Sequence, residues 1–196
     1  MNENKIAEVI QSSTASFIAE CYELYEIPSF GSLVKTSVDS NEIFGVVALA
    51  GTGGIEPGRR PVARGKEEKT ADAVYQTSPQ LLKLLRSEFT AVVVGYSNNG
   101  KIYQYLPPQP AHIHGFVYSC TPEEVKQFAA SFGFINLLTN TGQAGNSDEM
   151  IATVLREMSR VQDNPHDFLV GAGKAMASLL GGDYQRLRNI IGRITL

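Results

Sequence analysis

Through most of residues 16–120 the apolar positions follow a period of two, and after residue 121 they recur at helical spacing. Ser16–Tyr22 sets Phe17, Ala19 and Cys21 on one face of a strand; Ser32–Thr36 and Glu42–Leu49 follow as further short strands, parted by the turn-prone Asp39-Ser40-Asn41. Thr90–Tyr96 and Lys101–Leu106 flank Ser97-Asn98-Asn99-Gly100, whose Asn-Gly step takes the positive φ that a tight hairpin requires. A last β-rich run, His112–Cys120, follows Pro107-Pro108-Gln109-Pro110, where the prolines lack the amide protons a ladder needs and mark a connection. Ser78-Pro79 then reads as the start of a helix inserted over 78–89, with Leu81, Leu82, Leu85 and Phe89 on one stripe.

After Cys120 the period changes. Thr121-Pro122-Glu123-Glu124 is a capping box, and Val125, Phe128 and Ala129 supply the apolar face of the helix it starts. Ser147 begins a second helix through Met150, Ile151, Val154, Leu155 and Met158. Asn164-Pro165 begins a third, and Gly181-Gly182-Asp183 ends it and caps a fourth. The pattern predicts an α+β chain in three parts: an N-terminal extension over 1–14, a β-rich domain over 15–120 with the inserted helix, and a small helical domain over 121–196.

Composition narrows the class. The 196 residues are 43% apolar and carry a net charge of −3, which excludes a disordered tail and a uniformly basic nucleic-acid binder. The longest apolar runs are far short of the ~20 residues that span a bilayer. Met1–Gln11 lacks the apolar run of a signal peptide, and two cysteines cannot build a disulfide framework, so a cytoplasmic location is expected. The small total charge hides an asymmetry. Residues 1–58 hold two lysines against eight acids, whereas residues 59–120 hold eight bases against four acids. Charge polarity of this kind orients self-assembly or partner docking.

Four stretches invite a chemical reading. Gly171-Ala172-Gly173-Lys174 resembles the end of a phosphate loop, but Phe168 and Ala175 stand where that loop needs Gly and Ser or Thr, and the stretch lies in an amphipathic helix. Gly51-Thr52-Gly53-Gly54 follows a strand, yet Glu56 and Pro57 replace the last glycine and the helix start of a dinucleotide site; a loop using glycine conformations is the simpler reading. His112 and His114 are weak candidate metal ligands: they would share a strand face with Cys120, but zinc needs three or four ligands and His166 is the only other histidine. Gly58–Lys66 places Arg59, Arg60, Arg64 and Lys66 in nine residues bounded by Gly and Pro, which predicts an exposed contact loop for a protein partner or, alternatively, for nucleic-acid phosphates. No Gly-x-Ser-x-Gly elbow occurs, and neither a catalytic residue nor a cofactor is expected.

Phe44-Gly45-Val46-Val47, Ile55-Glu56-Pro57-Gly58-Arg59-Arg60-Pro61, Leu84–Phe89 and Val93-Val94-Gly95-Tyr96 together resemble HAS-barrel proteins, named for the barrel shared by HerA-type translocases and the ATP synthase ring. The resemblance covers about residues 15–120 and implies an antiparallel β-barrel that assembles rings or docks partners of an ATPase. Members with motor activity carry a P-loop domain after the barrel, whereas here only about 75 helical residues follow. The resemblance therefore implies a non-enzymatic interaction and assembly module, oligomeric or bound to an ATPase. A nucleic-acid accessory factor using 58–66 is the first alternative, and a metal-dependent hydrolase at His112 and His114 is the disfavoured second.

Overall fold

The computed structural model describes residues 5–56, 58, 60–139 and 147–194. Its centre is a closed barrel of six antiparallel strands: β1 (Lys5–Ser12), β2 (Ser16–Cys21), β3 (Leu33–Val38), β4 (Asn41–Gly54), β5 (Leu85–Asn98) and, because the short strand β6 (Lys101–Tyr103) only adds a hairpin arm to β5, β7 (Phe116–Ser119) as the sixth. Around the wall the order is β1-β2-β5-β4-β3-β7, and β7 closes the circle by pairing with both β1 and β3. Phe17, Ala19, Val34, Ile43, Val47, Phe89, Ala91, Val93 and Val117 fill the interior.

The Glu42–Leu49 run is nearly all apolar because both of its faces are covered. Ile43 and Val47 point into the barrel, while Phe44, Val46 and Ala48 join Leu33, Val92 and Val94 in a second core on the outside of the wall. Helices α2 (Pro122–Phe128), α3 (Phe134–Thr139), α4 (Ser147–Ser159), α5 (Pro165–Leu179) and α6 (Tyr184–Ile194) supply the rest of that core through Phe128, Phe134, Ile151, Leu155, Ala172 and Ile190. Beside it Lys35, 7% exposed, donates to Glu124 Oε1 of α2 at 2.5 Å and to Glu42 Oε1 at 3.1 Å. Among the described residues no helix is long and apolar enough to cross a membrane.

The expected capping box is present: Thr121 Oγ1 accepts from Glu124 N, and Glu124 Oε2 accepts from Thr121 N. The Asn99-Gly100 hairpin is also present, with φ of 49° and 78° at its two turn residues. Four expectations are corrected. Lys5–Ser12 is not an extension but β1, in which Ala7 and Val9 face the interior; a register shift between Val9 and Gln11 breaks the alternation that marks a strand. The inserted helix over 78–89 shrinks to a 3-10 turn, Pro79–Leu84, preceded by the short helix α1 (Ala71–Thr77). Leu85–Phe89 is strand, because pairing with β2 and β4 buries Ser87 and Phe89 on one face, and that tertiary gain outweighs helical spacing. Gly51–Gly54 extends β4 instead of forming a loop, with none of its glycines at positive φ. His112–Gly115 is a turn, in which His114 takes φ 66°, so β7 begins only at Phe116.

Candidate functional site

β4 and β5 are 14 residues each, longer than the barrel needs. β3 stops covering β4 where Leu33 faces Val46, and the last bonds across that side join Val47 to Gly31 and Ser32. Beyond this point residues 49–54 of β4 pair only with residues 85–90 of β5; β2 still flanks β5 as far as Glu88, so residues 52–54 and 85–87 form the two-stranded projection, whose ladder ends at Ile55 N–H donating to Leu84 O.

Residues 60–84 fold back over that end. Thr70 caps α1 by accepting from Ala73 N, and Gly65 passes so close that a β-carbon there would lie 2.8 Å from Val74 Cγ2. Tyr25 anchors the arrangement. Held at φ 71°, it donates its N–H to Ser87 Oγ at 2.9 Å; Ser87 Oγ lies 2.7 Å from Thr52 Oγ1, and the Tyr25 and Tyr75 hydroxyls are 2.5 Å apart. The hydrogen bond to Tyr75 and then burial hold the Tyr25 phenol above its ordinary pKa, so it stays neutral.

Between the strand ends, α1 and the basic loop lies a pocket of about 210 Å³. Ile55, Val74, Leu81, Leu84 and Leu85 form its apolar walls, and Tyr75, Glu56, Arg60 and Arg64 bring polar groups to them. Two guanidiniums against one carboxylate leave the lining positive, in a setting that favours a carboxylate or phosphate joined to an apolar body. Of the predicted contact residues, Arg60 and Arg64 reach this pocket, Lys66 is exposed outside its lining, and Arg59 lies outside the described residues. The apolar walls come from segments up to 30 residues apart, joined by the pairing of Gly54 with Leu85, which no local pattern announces.

The histidine pair does not form a site. Both residues are exposed on the turn before β7, and His114 Nδ1 meets Glu8 Oε1 at 2.6 Å, a contact that with the Tyr22 hydroxyl holds the Glu8 carboxyl below its ordinary range. Burial pushes the Cys120 thiol up, away from the thiolate a metal requires. Among the described residues no group of three or more His, Cys, Asp or Glu could hold a metal ion. Gly171–Lys174 lies within α5, where Gly171 lets the Phe132 ring approach to 3.0 Å of where a β-carbon would stand; close helix packing explains it.

Fold and site together define a closed β-barrel backed by helices, with a basic, apolar-walled pocket at the end of a projecting strand pair. The sequence matches no protein-family model and no curated protein.

Proposed function

We propose that this chain is a docking and assembly module that acts through protein contact, without catalysis of its own, and that the projecting ends of β4 and β5 are its contact element. The observation that carries this reading is the geometry of that projection. Two strands leave a closed barrel to hold out a tip where Ile55, Val62 and Leu84 are exposed beside Arg60 and Arg64. Exposed apolar groups rimmed by arginines are the composition of protein interfaces. The six-stranded closed barrel supports kinship with HAS-barrel proteins, and with it either self-association or a ring-forming ATPase as partner. The two thiols, one buried and one half-buried, are unpaired, which supports a cytoplasmic setting.

Cross-linking mass spectrometry in lysate of the source cells, combined with light scattering of the purified chain, tests this reading. Cross-links from Lys66, Lys69 and Lys83 at the tip to one recurrent protein, or to a second copy, are expected. A strict monomer whose cross-links avoid the tip and which turns over a small molecule refutes it. The basic tip also favours a competing reading, a nucleic-acid accessory factor. Binding of a single-stranded oligonucleotide that weakens steeply with salt and vanishes in Arg60→Ala/Arg64→Ala would decide for that role.

A further inference from the structure

Resting on the docking reading, we infer the chemistry of the partner: an extended, acidic segment of another protein that adds as a strand to the open edge of β4 and seats a carboxylate against Arg60 and Arg64.

The edge itself is the first ground. From Ala48 to Gly54, β4 has β5 on one side and, among the described residues, no strand on the other. Natural edges are blunted with charges, prolines or covering elements. Ala48-Leu49-Ala50-Gly51-Thr52-Gly53-Gly54 has neither charge nor proline, its one irregularity lies at the start, between Val47 and Leu49, and residues 49–53 are exposed. The glycines open the surface beside it. A β-carbon at Gly51 or Gly53 would meet nothing within 4 Å, and their row forms a trough of about 400 Å³ floored by Ile18, Thr90 and the Arg86–Glu88 pair. An incoming strand finds free backbone donors and acceptors along the edge, and because Gly51 and Gly53 carry no side chains, alternate side chains of that strand can reach across β4 into the trough over β5, which together meet the requirements of strand addition.

Charge selects the occupant. Gly54 lines both the trough and the arginine pocket, so a strand laid along the edge runs into Arg60 and Arg64. The segment 59–86 carries seven bases against three acids. An acidic segment is complementary to it, and a basic one is repelled. Nucleic acid fits less well, since neither the edge nor the trough offers an aromatic ring free for stacking. The chain's own acid-rich first third is committed largely to β1–β4 and the Tyr25 loop, which leaves the complementary strand to a different protein.

A random dodecapeptide library displayed against the full chain tests the inference. Enriched peptides are expected to alternate apolar residues and to carry at least one carboxylate. On binding they slow amide deuterium exchange across 48–54. Affinity falls about tenfold or more in Arg60→Glu/Arg64→Glu, and by a similar factor when alternate peptide amides are N-methylated. Gly51→Glu/Gly53→Glu is a second variant that repels an acidic strand without entering the core. Enrichment of basic peptides, protection away from β4, or indifference to N-methylation overturns the inference. So does an empty selection: if tip cross-links to a partner persist, the docking reading stands without this mode of contact, and if they are absent both fall.

Discussion

Replacing Lys35 with Met probes how the barrel and helices are held together. The methionine keeps the alkyl stem and removes the charge, leaving the carboxylates of Glu124 and Glu42, with side chains 27% and 42% exposed, facing each other across the vacated site. Breaking a fully buried pair costs about 3–5 kcal/mol. Water reaches both glutamates here, and Glu124 keeps the Thr121 N–H, so a loss of roughly 2–3 kcal/mol is expected. For a chain of this length that is about 5–10 °C in Tm. Acidity supplies a second readout. Burial pushes the Glu124 carboxyl up, but hydrogen bonds from Lys35 and Thr121 outweigh it and hold the carboxyl below 4.5, its unfolded value. A depressed carboxylate stabilises the fold above that value, and the contribution disappears as pH falls through the lower, folded one. For Lys35, hydrogen bonds to Glu124 and Glu42 outweigh burial and raise its ammonium above 10.5, a contribution complete at every pH below that and therefore flat in acid. The native protein should thus lose stability below about pH 4.5, while Lys35→Met, with only the Thr121 hydrogen bonds left to oppose burial at Glu124, loses less there. Urea unfolding at pH 7 and through the acid range, with Glu124→Gln added to both backgrounds, measures the pair's coupling. A cost under about 1 kcal/mol, or parallel acid profiles, would refute the reasoning.

Three further outcomes are expected. Gly95→Ala places a β-carbon 2.5 Å from the Tyr103 carbonyl oxygen, a backbone clash that should lower Tm by several degrees, whereas Gly53→Ala, which meets nothing within 4 Å, should leave it nearly unchanged. Thr121→Ala removes the side-chain half of the capping box and should cost about 1 kcal/mol in chemical denaturation. Burial holds the Cys21 thiol up at about 11 and pushes the Cys120 thiol up as well, so native protein at pH 8 should react slowly with a disulfide reagent and release both thiols only in denaturant.

What the sequence discloses depends on how local the determining interactions are. The Thr121 capping box, the Asn99-Gly100 turn and the Asn164-Pro165 helix start are written in adjacent residues, and each is found where its pattern lies. β1 escapes notice because its bulge shifts Ile10 and Gln11 out of alternation and because one of its partners, β7, lies as much as 113 residues away, at Lys5 opposite Tyr118. Leu85–Phe89 carries a helical stripe, and only the company of β2 and β4 turns it into strand. The site divides in the same way. The arginines stand out as a basic cluster, but their apolar pocket exists only because Gly54 meets Leu85.

The position of β7 in the chain has a consequence for synthesis. The barrel's first strand is made first, but the four-residue strand that joins it to β3 comes roughly 100 residues later. At ~5–20 residues per second, the cylinder stays unclosed for roughly 5–20 s after β1 is made, and all five earlier strands stand together without β7 for about the last 1–4 s of that time. The helices that cover Phe44, Val46, Val92 and Val94 arrive later still. Until then the nascent chain presents a sticky outer wall and two unjoined margins. A stall or truncation before Phe116 should therefore release a species that aggregates, and the demand for chaperones during synthesis is set by this late closure more than by the stability of the finished fold.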